Sequence, residues 1–218
     1  MPRVLRGCWL IAAMLLAVGL TDAGEPRGWK ARVAVDWEEA PLRQAISDLA
    51  RQQEVTVFLD RRIDPDRRVT LAQKEPLPLP LLLEHLAQQL DAEIVPVGSV
   101  LYWVPSGEAA RIAGRLADLE RECRHAWPDL RGRTVALSWK SGARPRQLVK
   151  LAAERFGIEL RGEETIPHDV WWEAHLPPLS APELLTLLMS GFGRTFRPES
   201  KRRATLVGWD EVTVRNQS

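Results

Sequence analysis

Between residues 32 and 37 apolar and other positions alternate, with Val33, Val35 and Trp37 on one side of the backbone, the period of a half-buried strand. The period then changes. Leu42, Ala45, Ile46, Leu49 and Ala50 recur at i, i+3, i+4, i+7 and i+8, which is one stripe of a helix. Pro41 suits the first turn of that helix, because an N–H there would have no partner. Residues 55–59, rich in β-branched and aromatic side chains, predict a second strand. A charged turn from Arg61 to Arg68 leads to a third strand at 69–71. Leu79, Leu82, Leu83, Leu86, Ala87 and Leu90 then mark a second helix. Strands at 93–97 and 100–104 flank Gly98-Ser99, a hairpin signal. The predicted order is β-α-β-β-α-β-β.

The same order recurs at an offset of 102 residues, the spacing of Trp37 from Trp139 and of Leu49-Ala50 from Leu151-Ala152. The second helix keeps its register, with Ala181, Leu184, Leu185, Leu188, Met189 and Phe192 as the matching positions. Solenoid repeats run to ~20–50 residues, so this longer period implies two copies of a small domain. In the second copy a strand is expected at 134–139, followed by a helix whose inner face is Leu148, Val149, Ala152 and Phe156. Further strands are expected at 158–160, 170–172, 195–196 and 204–209. Ser180-Ala-Pro-Glu183 is a capping box that fixes where the second helix begins. The expected fold is α+β: a first domain at 32–105, a second at 133–210 and a tail at 211–218. The intervening segment, 106–132, has Ile112, Leu116 and Leu119 amid many charges. It predicts a solvated linker helix that spaces the domains semi-rigidly.

Residues 1–23 read as an export signal: Arg3 and Arg6, an apolar run at 8–20, then Thr21-Asp22-Ala23 with small residues at the cleavage-determining positions. The run is short for a membrane span of ~20 residues. The expectation is a periplasmic or secreted protein with no stable membrane span after cleavage, an uncleaved anchor being the alternative. Cys8 lies at the front of the run, where a lipidated cysteine does not belong. The chain holds 30 basic and 29 acidic residues; without Arg3, Arg6 and Asp22 the counts are 28 and 28. Zero net charge argues against nucleic acid and against an anionic membrane surface. Arg61-Arg62 and Lys201-Arg202-Arg203 read as local clusters in solvated turns. Cys123 alone remains after cleavage, so no intrachain disulfide is possible, and each unit of ~75 residues must rely on an apolar core. Cys123 sits in a charged helix and reads as incidental.

The line Val33-Ala-Val-Asp-Trp-Glu-Glu-Ala-Pro-Leu-Arg-Gln-Ala-Ile-Ser-Asp-Leu-Ala50, followed by Val-Thr-Val-Phe-Leu-Asp60, a Val69-Thr-Leu71 strand and a leucine-rich helix, resembles the short N-terminal domain shared by secretins and TonB-dependent receptors. The first unit matches nearly throughout. The second is more distant, with Gly142-Ala143-Arg144 in place of Ala40-Pro41-Leu42 and Leu160-Arg-Gly162 in place of Leu59-Asp60. The resemblance implies two helices held between a two-stranded and a three-stranded sheet. It also implies a periplasmic role in contacting partner proteins such as a secretin, a receptor or a regulator. In that family the domain precedes an outer-membrane barrel or a secretin ring, whereas here a freestanding tandem is expected, which leaves the partner's identity open.

Signatures of nucleotide, nucleophilic-serine and dithiol chemistry are missing: Gly-x-Ser-x-Gly, the P-loop, Gly-x-Gly-x-x-Gly and Cys-x-x-Cys. One constellation remains, His168-Asp169 with Glu173 and His175. On a strand at 170–174, His168 would face away from Glu173 and His175, so a polar turn and strand edge is the preferred reading over a metal or acid–base site. No catalytic residue, metal or cofactor is expected. Nine tryptophans are many for this length. Trp37 and Trp139, repeated at one structural position, read as core. Trp171-Trp172 would face opposite ways on a strand, so one of them is a candidate partner-binding residue. The function expected is a non-catalytic protein-interaction module of the cell envelope. The alternatives are a cell-wall or glycan-binding module that stacks sugars on Trp171 or Trp172, or a metal-dependent hydrolase at His168, Asp169 and His175.

Overall fold

A computed structural model describes residues 29–213; the expected export signal and residues 214–218 lie outside them. The fold is α+β. In the first half, β1 (Arg32–Pro41) and β3 (Arg68–Pro78) pair antiparallel as a two-stranded ribbon. β2 (Thr56–Leu59), β4 (Ala92–Val97) and β5 (Val100–Pro105) make a sheet of order β2-β5-β4, with β5 parallel to β2 and antiparallel to β4. Helices α1 (Leu42–Gln53) and α2 (Leu79–Gln89) complete this half. After α3 (Ala109–Ala126), the second half has β6 (Val135–Trp139) antiparallel to β8 (Ala174–Leu179). Its three-stranded sheet joins β7 (Glu159–Arg161), β9 (Arg194–Glu199) and β10 (Arg203–Gly208) in the order β7-β10-β9, with β10 parallel to β7 and antiparallel to β9. Helices α4 (Pro145–Phe156) and α5 (Ala181–Met189) belong to this half, and the short α6 (Trp209–Thr213) follows.

The ribbon is longer than the apolar alternation predicts, because charged residues continue both strands. Trp37 pairs with Leu71 but Ala40 with Val69, so β1 carries one extra residue there. Glu39 absorbs it at φ +50°, and its N–H donates to Thr70 Oγ1 at 3.1 Å. Both ribbon strands end on proline. Pro41 (φ −60°, ψ 130°) caps α1 in extended conformation rather than lying within its first turn, and Pro78 stands likewise before α2. Trp37 is only half-buried, whereas Trp139 is buried.

β5 explains how the halves meet. Its Leu101 and Trp103 join Leu42, Ile46, Leu49, Leu79, Leu82, Leu83 and Leu86 in the core of the first half. Val100, Tyr102 and Val104, on the opposite face, join a second core that runs on into α3, α4 and α5. A strand buried on both faces needs a continuous apolar run rather than an alternating one, and Val100-Leu-Tyr-Trp-Val104 is such a run. The expectation of a solvated linker helix is therefore corrected. Ile112, Leu116, Leu119, Cys123 and the aliphatic part of Arg115 are buried, because the apolar stripe of α3 packs on β4, β9 and α5. The Arg115 guanidinium donates to Thr195 Oγ1 and the Phe196 carbonyl and pairs with Glu122 at 2.7 Å, so the charge is partnered where it is buried. Burial pushes the Cys123 thiol pKa up to about 12.

The capping box forms as expected, with Glu183 Oε2 accepting from Ser180 N–H and Oγ–H at 2.6 and 2.7 Å. The hairpin turn of the first half sits against it. A Cβ on Gly98 (φ +56°) would lie 2.7 Å from Glu183 Oε1 and 2.8 Å from Leu179 Cδ2. Only glycine fits that turn and that approach together.

Candidate interaction surface at the seam

An aromatic cluster lines the seam between the halves. Phe58 of β2 stacks on Tyr102 (5.8 Å between centroids) and meets Trp139 and Trp171 edge-on at 6.1 and 5.8 Å. Trp171 also lies 5.9 Å from Trp139 and stacks on Phe192 at 5.9 Å, their planes 9° apart. Each such pair adds about 0.5–1.5 kcal/mol to the area it buries.

A buried polar node lies beneath the rings. Asp60, Tyr102 and Ser190 are each 1% exposed. Asp60 follows β2, and its carboxylate accepts from the Arg62 backbone N–H (2.9 Å), from Arg62 Nε and Nη2 (2.8 and 3.0 Å) and from the Tyr102 hydroxyl (2.6 Å). Because the Tyr102 proton goes to the carboxylate, Ser190 Oγ, 2.9 Å away, donates to Tyr102 Oη. Tyr102 thus joins the two halves through one oxygen. Burial raises its pKa well above the usual 10.0, and the neighbouring Asp60 charge and hydrogen bond raise it further. The hydrogen bond from Arg62 to Asp60 raises the guanidinium pKa in turn. Arg61-Arg62 therefore does not behave as a solvated turn. Arg62 clamps Asp60, and Arg61 crosses the seam to Asp169 (2.7 Å) with its guanidinium 4.8 Å from the Phe192 ring centroid. Arg202 of the other basic cluster is likewise ion-paired, to Asp129.

Residues 170–172, expected as a strand, are a pinned loop instead. Only Trp171 makes a bridge, to Ala143: its N–H donates to the Ala143 carbonyl, and its own carbonyl accepts from Gly142 N–H, both at 2.9 Å. The following N–H, of Glu173, donates to Ser141 Oγ at 3.1 Å. The ladder of β6 with β8 starts only at Ala174, which pairs with Trp139, so the bridge at Trp171 stands apart from it. At the other end of the loop Ile166 is fully buried and its carbonyl accepts from Arg146 at 2.9 Å.

The two tryptophans do part company. Trp171 turns into the aromatic seam, with its indole N–H on Asp169 Oδ2 at 3.2 Å. Trp172 is 55% exposed and Val170 67% exposed. Trp172 is nevertheless held in place: its carbonyl accepts from Trp139 Nε1 at 2.6 Å. The Arg43 guanidinium, ion-paired to Asp66, lies 3.8 Å from its ring centroid. One ring face is thus covered from the first half. Beside Val170 is an open hollow lined by Arg144, His168 and Asp169, which also line an adjoining one that reaches Arg146 and Pro167.

His168 is exposed at the rim of that hollow, and His175 is exposed on β8 opposite Ser138. Glu173, also exposed, approaches Lys140 at 3.8 Å. Asp169 is engaged by Arg61, Trp171 and the Val170 N–H. Burial by itself raises the Asp169 pKa, but the Arg61 hydrogen bond, the Val170 N–H and the Arg61 charge together hold it below its usual 3.8. The four residues do not converge, and among the described residues no three His, Cys, Asp or Glu side chains gather where a metal could be held. Sequence reasoning missed Asp60, Arg61, Tyr102 and Ser190, whose partners lie 42 to 108 residues apart. The one visible signal was the lone tyrosine within an apolar strand.

No family model, curated protein or solved structure matches the chain.

Proposed function

We propose that this protein is an exported, non-catalytic protein-interaction module of the cell envelope, docking a partner through the Trp172–Val170 face of the seam. The observation that carries the reading is Trp172: a large apolar side chain left more than half exposed, yet held by Arg43 and by its own carbonyl. Tryptophan in that condition suits an interface anchor, because little side-chain freedom is left to lose on binding. Arg43 comes from the first half and the loop from the second, so the face depends on both being docked. The resemblance of residues 33–90 to the short N-terminal domain of secretins and TonB-dependent receptors supports the periplasmic setting, as does the signal-like composition of residues 1–23.

The test is crosslinking of the tagged chain in intact cells, with mass spectrometry of what is captured. An envelope protein captured by the wild-type chain and lost with Trp172→Ala supports the reading. Recovery of the mature chain alone overturns it. Recovery on insoluble peptidoglycan, abolished by Trp172→Ala, also overturns it and favours a glycan-binding role for the same ring.

A further inference from the structure

The charges around Trp172 are unevenly satisfied. Arg43 is paired with Asp66, Arg61 with Asp169, and Lys140 lies within 3.8 Å of Glu173. Two cations beside the hollow have no carboxylate among the described residues. Arg146 donates only to the carbonyls of Glu164 and Ile166, at 2.7 and 2.9 Å. Arg144 is exposed, and its carbonyl accepts from the Gln147 and Leu148 N–H groups at the start of α4, but its guanidinium makes no hydrogen bond or ion pair among the described residues. The only carboxylate lining the hollow is Asp169, already engaged; Glu163 and Glu164, in the preceding turn, do not line it. Exposed Val170 lines the hollow together with Arg144, and exposed Trp172 follows two residues later in the same loop. The face therefore presents an apolar anchor with uncompensated positive charge at its rim.

We infer that the occupant of this face is an acidic peptide segment that places an aromatic or large aliphatic side chain on Trp172 and Val170 and carboxylates toward Arg144 and Arg146. This deepens the docking role proposed above and rests on it. Charge complementarity selects the occupant. A basic segment would meet two cations with no carboxylate free in the hollow, whereas Asp or Glu would supply the partner both arginines lack. An arginine fork can take a carboxylate with two parallel hydrogen bonds, which adds geometric selectivity to the attraction. The ordered indole supplies the affinity; the cations supply approach rate and sign preference.

The experiment sorts a displayed library of random peptides on the immobilised full chain, then measures binding of the enriched peptides to variants. Enriched peptides should combine Asp or Glu with a nearby aromatic or large aliphatic residue. Trp172→Ala should weaken them about thirtyfold, as loss of an anchor does. Arg144→Glu should weaken them about tenfold and flatten their salt dependence. Val170→Ser, at the more exposed neighbour, guards against a folding defect in Trp172→Ala and should weaken binding in the same direction. Enriched peptides that need Trp172 but are neutral or basic would overturn the acidic class and leave the docking surface standing. Enrichment indifferent to both Trp172→Ala and Val170→Ser, or none at all, would overturn both.

Discussion

Replacing Tyr102 by Phe removes one oxygen and nothing else, which makes it the sharpest probe of how the halves are joined. That hydroxyl donates to the buried Asp60 carboxylate at 2.6 Å and sits 2.9 Å from Ser190 Oγ, 88 residues away in the chain. A hydrogen bond to a charged group is worth about 1.5–3 kcal/mol, and a buried hydroxyl left without a partner costs about 1–3 kcal/mol. Asp60 keeps its three bonds from Arg62, so its charge stays compensated. Tyr102→Phe should therefore cost about 3 kcal/mol, which lowers the melting temperature by roughly 6–12 °C for a chain of this size. Ser190→Ala alone removes a neutral hydrogen bond and should cost about 1 kcal/mol. Once Tyr102 is Phe, however, Ser190→Ala removes the orphaned hydroxyl, so the double variant should be no less stable than Tyr102→Phe. The cycle should then show a coupling of about 1 kcal/mol or more, the signature of direct contact. Urea unfolding followed by far-ultraviolet circular dichroism measures all four proteins. A cost for Tyr102→Phe below about 0.5 kcal/mol, or costs that simply add, would refute the node as a bridge between the halves.

Tyr102 is the sole tyrosine, so the tyrosinate absorbance band reports it alone. Its pKa is raised in the folded state, so its contribution to stability is complete below pH 10, where the unfolded side chain ionises. That contribution is lost as pH climbs toward the folded value, by up to ~1.4 kcal/mol per pH unit. The band should appear only with unfolding, and titration at an ordinary pKa in the folded protein would contradict the burial. Cys123, with its thiol pushed up to about 12, should resist alkylation at neutral pH in the native protein and react on unfolding, as peptide mapping would show. Gly98→Ala should cost about 2 kcal/mol in the same urea assay, because Ala at φ +56° is strained and its Cβ displaces Glu183 from the cap of α5. Unchanged stability would mean that the hairpin does not press on that cap.

Elements with a clear period were legible in the sequence. The stripe Leu42, Ala45, Ile46, Leu49 and the matching face Leu148, Val149, Ala152, Phe156 are buried where the 3.6-residue period put them. The capping box started α5 at Ala181, and Gly98-Ser99 turned the hairpin, because both are local chemistry. What failed was tertiary. In α3 the spacing of Ile112, Leu116 and Leu119 is the same whether a stripe is thin and solvated or fully covered, and only the neighbours decide. The Trp171-Trp172 divergence was read from strand geometry. A pinned loop produces it instead, through Gly142, Ala143 and Ser141, contacts that a periodicity argument does not contain. The seam was invisible for a related reason: Asp60, Tyr102 and Ser190 acquire meaning only when brought together.

The most direct test of the docking role is site-specific photocrosslinking in intact cells, with a photoreactive residue at position 170 and, as a control, at the exposed position 74 on the ribbon. The account predicts one discrete envelope protein adduct from position 170, none at that size from position 74, and loss of the adduct when Trp172→Ala is combined with the probe. No adduct from position 170, or an adduct indifferent to Trp172→Ala, would contradict it.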